Sequence, residues 1–527
     1  MKLEYIYLDG YKGLKDLSIQ FKEQSSPAAI DFLIGRNGSG KSSVLEAIGL
    51  IFTRIMQNEL PGFPFEIRYR MPNGFRICVR PQEQATYDER GRRKKLFVEV
   101  EQDEERRRYD AIPNEYLPDR IITYCSGANS SMEEILVSSP RDSLVSDLYD
   151  LSVQEREEQD LELELKNEIL DFYERLDVNP RVLYLDAVTS KFVLPVLCAV
   201  LPLDIRKESG KEEILNYFRL RNMLTERLNM NMIPVAFSFQ VNNDMLERAD
   251  KLPQINMLRQ LIGNDASEKS GSINDKVVTK LLSAVAGEDG SIPTESTVLF
   301  LYEQLEPSDE KSYYHQELQK FFDGNPFILL STLLTAYRMG ILSNIHFSYR
   351  NAGESGVYDT EAFSDGELMW LARAGLVLMA QRYCGKNTLF LYDEPDVHFN
   401  DDWNKDFIKM IYELSRGAQH EFLIATHSTL ILTDAMYEQV NLFDNRSGKK
   451  TEVKNINIST FAAQRDEISD QIFDTKAIGS YASDSVESMM QETDPEKMKE
   501  NIEKLGPGYE RFRMYEQLYS LMDRHRD

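Results

Sequence analysis

Apolar and polar positions alternate along residues 3–21 around Gly10 and Gly13, a period of two that predicts two short strands joined by a turn. A third apolar run, 29–34, leads directly into a glycine-rich turn, and the turn into a helical pattern over 42–56. Residues 65–100 read as a strand-rich hairpin region with basic tips, and 120–124 as a short strand. From about 132 to 350 the pattern changes: acidic helices over 154–176 and 212–228 mix with apolar strands at 182–185, 233–239 and 297–302. Polar runs at 264–274 and 306–311 predict loops, and neither an internal repeat nor a sustained heptad pattern is found. After Glu361 helix and apolar strand alternate again: helix 367–383, strand 388–392, helix 402–416, strand 421–425. Such alternation predicts a parallel sheet covered by helices. The charged tail, 494–527, is helical and broken once at Gly506-Pro507-Gly508.

The expected fold is therefore α/β, a mixed or parallel sheet with flanking helices, an antiparallel β region at the N-terminus and a helix-rich insertion. Four segments follow: an N-terminal lobe, 1–130; the insertion, 131–345; a C-terminal lobe, 346–445; and a helical tail, 446–527, a candidate for docking a partner. The longest apolar stretches, such as 192–203, are shorter than a bilayer span, and the first residues lack the apolar core of a secretion signal. The four cysteines (Cys78, Cys125, Cys198, Cys384) form no Cys-x-x-Cys pair, which argues against a disulfide framework or zinc and fits a reducing cytoplasm. A formal net charge of −26 opposes nucleic-acid phosphate at long range, so any such binding is confined to a local basic patch or belongs to a partner. The best patch is the basic run 90–95 with Arg106, Arg107 and Arg108 nearby. Its flanking acids (Glu89, Glu104, Glu105) make a solvated hairpin the simpler account.

Four short motifs carry chemistry. Gly35-Arg36-Asn37-Gly38-Ser39-Gly40-Lys41-Ser42, followed by Ser43, matches G-x-x-x-x-G-K-[ST] and lies between a predicted strand and a predicted helix, the context that motif requires. Its glycines let backbone N–H groups wrap phosphates, Lys41 reaches the β- and γ-phosphates, and the Ser42 hydroxyl is a ligand for Mg²⁺. The apolar strand 389–392 ends in Asp393-Glu394, which makes Asp393 the metal-shell residue and Glu394 the catalytic base that polarises an attacking water. Ser364-Asp365-Gly366-Glu367 opens a long helix; alone it reads as an N-cap with a capping-box Glu, but a helix start is also an anion site. Finally, His427 follows an apolar strand directly and is a candidate γ-phosphate sensor and catalytic group.

In this order the pieces resemble an ABC ATPase of the SMC and RecF branch, over residues 1 to about 130 and 345 to about 445. The resemblance makes Gly35 to Ser42 the Walker A motif, Ser364, Gly366 and Glu367 the signature, Asp393 and Glu394 Walker B, Asp396 the D-loop and His427 the switch histidine. It implies an ABC-ATPase head whose cofactors are ATP and Mg²⁺, held in a head-to-tail homodimer: the signature of one protomer closes over ATP held by the Walker A of the other. The family's Q-loop glutamine is left unplaced: Gln82 and Gln84 fall in the predicted hairpin, and Tyr124-Cys125-Ser126-Gly127 occupies the expected strand end. The span from Lys41 to Ser364 is too short for long SMC-like arms.

A narrower resemblance, on the segments Tyr11-Lys-Gly-Leu-Lys, 121–129 (IITYCSGAN), 182–186, Lys476-Ala-Ile-Gly-Ser-Tyr481 and Leu505-Gly-Pro-Gly, is to PtuA, the ATPase of Septu and retron-linked antiphage systems. It implies a cytoplasmic scaffold and regulator of a separate HNH nuclease like PtuB, in some systems with a reverse transcriptase and its RNA/DNA product, and with no membrane partner. The alternatives are a RecF-like repair ATPase that binds DNA directly and an anticodon-nuclease-type toxin. The chain lacks the acidic Toprim cluster and the paired histidines of an HNH centre. Phe512, Tyr515, Leu518 and Leu521 recur at helical spacing in the tail; core packing is the default reading and docking of a partner the alternative.

Overall fold

The computed structural model describes residues 1–24, 28–82, 95–103, 105–127, 180–200, 232–242, 297–301, 325–338, 340–351, 356–385, 387–445, 450–456, 459–473 and 478–524, with positions 132, 246, 258 and 475. The predicted helices 154–176 and 212–228, the polar runs 264–274 and 306–311, and the hairpin tip with most of the basic run lie outside the described residues.

Residues Met1–Phe461 form one compact unit. At its centre is a seven-stranded sheet built from β3 (Ala29–Gly35), β8 (Arg120–Cys125), β9 (Val182–Leu185), β13 (Thr388–Asp393), β14 (Glu421–Ala425), β15 (Val440–Asp444) and β16 (Glu452–Asn455), in the order β16-β15-β3-β14-β13-β8-β9. Every pairing is parallel except β15 with β16. A parallel sheet needs cover on both faces, which is why β3, β13 and β14 read as continuous apolar runs. The helix α1 (Lys41–Met56) and a six-stranded antiparallel sheet (Lys2–Leu8, Leu17–Gln20, Phe65–Arg70, Arg76–Pro81, Leu96–Gln102, Glu105–Tyr109) share one core with Leu33, Leu389, Leu391, Leu423 and Ala425. The alternate residues of the same strands meet the other helices: Tyr124 against Met369 in α4 (Asp365–Tyr383), and Tyr392 against Phe407 in α5 (Asp401–Leu414). The mixed α/β architecture is the expected one.

Within the span read as an insertion, β9 is an edge strand of the main sheet, parallel to β8. The helix α2 (Val193–Val200) packs on α4 so closely that a Cβ at Gly375 would lie 3.0 Å from Val193 Cγ1. Strands β10 (Met232–Val241), β11 (Thr297–Leu301) and β12 (Leu342–Asn351) form a separate antiparallel sheet. Among the described residues no helix is long and apolar enough to cross a membrane.

Residues Ala462–Asp527 form a second unit. In it Val486, Met498, Ile502, Met514 and Leu518 make a small core, with Leu521 packed against it. The helix Tyr509–Arg524 therefore faces inward through Met514, Leu518 and Leu521, while Phe512 and Tyr515 remain 57% and 39% exposed. The four positions at helical spacing are split between core and surface because residues 512 and 518 stand about 120° apart on a 3.6-residue turn.

A buried charge cluster closes the N-terminal edge of the central sheet. The Lys2 ammonium pairs with Asp31 and lies 3.5 Å from Glu421, both carboxylates fully buried, and Glu421 also accepts the Leu3 N–H at 2.7 and 2.9 Å. Burial pushes Glu421 up to about 7 despite Lys2, and raises Asp31 for the same reason. Removing one partner of such a cluster leaves charge uncompensated in the core, so Lys2→Met is expected to cost about 3–5 kcal/mol of stability, read from urea unfolding. Because Glu421 binds more protons folded than unfolded, its contribution to stability is fullest below its ordinary value of 4.5 and falls as pH rises through about 7. Lys2 opposes that rise. The deficit of Lys2→Met should therefore grow between pH 5 and pH 8; a deficit independent of pH would contradict the assigned burden on Glu421.

Candidate functional site

The glycine-rich loop leaves the C-terminal end of β3. Gly35 has φ +147°, and a Cβ there would lie 2.5 Å from the Phe443 carbonyl oxygen on the neighbouring strand, so only glycine fits. Arg36, Asn37 and Gly38 form the exposed tip, Ser39 is buried beneath it, and Gly40 caps α1 without a side-chain bond. The first N–H groups of α1 thus emerge unspent at the loop, a ready anion site. Lys41 Nζ donates to the carbonyls of Gly35 and Arg36 at 3.1 and 3.2 Å, folding its ammonium across the loop. Burial lowers the Lys41 pKa, with the Glu394 and Asp393 carboxylates opposing.

Beside this loop stands the end of β13. The Ser42 hydroxyl donates to Asp393 Oδ1 at 3.0 Å, and the Cys125 thiol approaches Oδ2 at 3.7 Å. Burial pushes Asp393 up to about 6, against the stabilising bond from Ser42. A hydroxyl and a carboxylate oxygen converging from two elements form the hard donor pair that suits Mg²⁺, an ion bound by one or two protein oxygens with phosphate and water completing its shell.

Glu394 departs from the strand with φ +48°, a left-handed conformation costly for a side-chain-bearing residue and held by its N–H to the Ala425 carbonyl at 2.8 Å. Its carboxylate, 41% exposed, lies 3.7 Å from His427 Nε2. Burial and then Lys41 lower the His427 pKa against Glu394, so its imidazole is neutral at pH 7. Asp396 Oδ1 accepts from the Thr426 hydroxyl at 2.8 Å, which in turn accepts the Ser428 N–H at 2.9 Å.

Ser364, Gly366 and Glu367 stand elsewhere. Ser364 caps α4 in a reciprocal capping box: its N–H and hydroxyl donate to Glu367 Oε2 at 2.7 and 2.9 Å, and Glu367 N–H returns to Ser364 Oγ at 3.3 Å. A Cβ at Gly366 would sit 2.6 Å from the His398 carbonyl, so the absent side chain lets this turn rest on the segment that follows Glu394. Asp393 points toward α1, as its bond to Ser42 shows, whereas α4 packs on the face carrying Tyr124 and Tyr392. The sheet lies between the glycine loop and the Ser364 turn. The structure thus gathers Gly35 to Ser42, Asp393, Glu394, Asp396 and His427 at one edge and leaves the Ser364 turn on the opposite face.

Three contributors escaped sequence reasoning: Cys125, Thr426 and Arg373, the last fully buried in α4 with its guanidinium carbon 3.7 Å from the Tyr124 ring centroid. Cys125 and Ala425 both pair with Asp393 across the sheet, so matched strand ends were the available signal for the first two. Gln82 ends the antiparallel strand Arg76–Pro81, its N–H bound to the Lys95 carbonyl, and Gln84 lies outside the described residues. In the basic patch, Arg106 and Arg108 pair with Glu99, and Arg107 pairs with Glu105.

No curated protein sequence matches the chain. Among solved structures it is similar to an SMC head bound to the C-terminal winged-helix domain of ScpA (14% identity over 86% of this chain and 98% of that one, TM-score 0.34). It is also similar to an SMC head with coiled coil and joint from Pyrococcus yayanosii (17% identity over 86% and 97%, TM-score 0.29). A third is the SMC head domain from Thermotoga maritima (11% identity over 87% and 100%, TM-score 0.31). The family model described as AAA ATPase domain matches residues 1–315, well over half of the sequence, and the chain therefore belongs to the AAA ATPase domain family.

Proposed function

We propose that this chain is an ABC-type ATPase of the SMC and RecF kind that binds ATP between two head-to-tail copies of itself. One observation carries the reading: the helix that starts at the glycine loop and the helix that starts at the Ser364 turn lie on opposite faces of the central sheet, an arrangement that favours applying the two to one triphosphate from different chains. A second copy brings its own Ser364 turn to the loop of the first.

In that arrangement the N–H groups of the loop and the first turn of α1 bind the phosphates, and Lys41 exchanges its loop carbonyls for phosphate oxygens. Ser42 and Asp393 would hold Mg²⁺, which supplies charge neutralisation on the phosphates. Glu394 orients a water and takes its proton, and neutral His427 beside it donates to the γ-phosphate region. Asp396, tied to Thr426, links the strand end to the opposing copy.

The finer reading is a PtuA-like regulator of a separate HNH nuclease in antiphage defence, acting in the cytoplasm. It is supported by the short segments noted in the sequence, by the absence of a nuclease constellation there, and by the ion-paired state of Arg106, Arg107 and Arg108, which spends charge that direct nucleic-acid binding would need. The expected outcome is that purified chain binds ATP yet leaves DNA and RNA intact until a small HNH protein encoded beside it is added. Cleavage by the pure chain alone would sink the defence-scaffold reading and favour the toxin alternative.

The ATPase itself is tested by three variants. Lys41→Ala should abolish ATP binding. Glu394→Gln should bind ATP normally, turn over about 10²- to 10⁴-fold more slowly, and accumulate as an ATP-dependent dimer in size-exclusion chromatography with light scattering. Gly366→Ala, whose methyl group would press on His398, should keep ATP binding as a monomer and lose that dimer. Wild-type turnover in Glu394→Gln, or dimers unaffected by Gly366→Ala, would count against the shared site.

A further inference from the structure

Arg373 is a charge in a place where a charge is expensive. It sits midway along α4, 1% exposed, and of its donors Nη1 reaches the Met369 carbonyl at 2.5 Å while Nε and Nη2 make no well-aligned hydrogen bond, the Tyr124 hydroxyl being the polar group that acts on the guanidinium. Its guanidinium carbon lies over the Tyr124 ring, 3.7 Å from the centroid, and 5.3 Å from the Phe399 centroid, within electrostatic reach of Asp396. An apolar side chain of similar length would fill this space without the desolvation, so packing alone gives no reason for arginine. The groups it touches supply one. Tyr124 is the residue before Cys125, which contacts Asp393; Phe399 closes the turn that carries Asp396 and His398; and His398 lies over Gly366 of the Ser364 turn.

We propose that Arg373 is a positioning residue for ATP hydrolysis, its buried guanidinium tying the Ser364 helix to the 396–399 segment and to the end of β8 so that the turn offered to a second copy and the Asp393–Glu394 strand end are held in register. The contacts are of two kinds: a planar cation lies within cation–π distance of rings from two elements, and its charge acts on the Asp396 carboxylate, which already accepts from Thr426.

This inference rests on the ATPase reading above, and the experiment separates the two. Arg373→Met and Arg373→Lys are compared with wild type and Lys41→Ala in thermal unfolding, equilibrium binding of a fluorescent ATP analogue with Mg²⁺, and steady-state turnover. Arg373→Met is expected to unfold at or above the wild-type temperature and to bind the analogue within about twofold of wild type, since the loop of β3 is untouched. Its kcat should fall on the order of 10- to 100-fold with KM unchanged, the signature of misplacement rather than lost binding. Arg373→Lys, which keeps charge but not the stacked plane, should fall between. Wild-type kcat in Arg373→Met, or losses of stability and binding that parallel its loss of turnover, overturns the assignment and leaves the ATPase reading standing. Absence of ATP binding and turnover in wild type overturns both.

Discussion

Register in the parallel sheet is the constraint on which the site depends. Asp393 pairs with Cys125 on one side and Ala425 on the other, so β8, β13 and β14 end at one level, and β3, whose Leu33 pairs with Ala425, runs two residues further to Gly35. Whatever follows each strand must emerge at the same edge: Gly35 and the glycine loop, Ser126, Glu394 and Thr426. A slip of one residue in β13 would turn Asp393 from α1 to α4 and remove it from Ser42. The buried apolar side chains of these strands, fixed between two layers, are what forbid the slip. Core packing and chemistry are thus one fact about the same residues.

Both faces being covered has a second consequence. The loop after β3 feeds α1 on one face, while the helix that begins at Ser364 lies on the other. The two helix starts therefore approach the sheet edge from opposite faces. In the proposed head-to-tail arrangement a nucleotide site that needs both would be an interface, and binding energy of the triphosphate would become energy of association.

Motifs tied to a strand end were legible because they combine local composition with a change of period: the glycine loop, Asp393-Glu394 and His427 each follow an apolar run. Ser364 to Glu367 shows the limit of that method. The capping box is formed, so the modest reading of those residues is correct as structure, and it coexists with a turn whose glycine is pressed against His398. Sequence could not place Val182–Leu185 in the central sheet, since its partner β8 lies across a long intervening span and strand adjacency is a tertiary property. Arg373 was hidden for the opposite reason: a charge between Ala372 and Ala374 on a helix reads as solvent-facing, and only packing reveals it as fully buried. The tail positions divide on geometry, because Phe512 and Leu518 satisfy helical spacing in part without sharing a face.

Three unfavourable groups stand around the C-terminal end of β13, apart from the cluster of Lys2, Asp31 and Glu421 at the other edge of the sheet. Glu394 holds a left-handed backbone, Asp393 is a buried carboxyl raised to about 6, and Arg373 is a fully buried cation. Each is tolerated because the sheet around it is over-determined. The helix α4 touches all of this through Gly366, Met369 and Arg373, and on its far side receives α2 at Gly375, where a methyl group would already be tight. Among its described residues, the 131–345 span meets this edge by two routes: β9, paired with β8, and α2, packed on α4. A displacement of α2 is carried to the Ser364 turn by the body of α4, since a close-packed helix transmits a push as a shift rather than absorbing it.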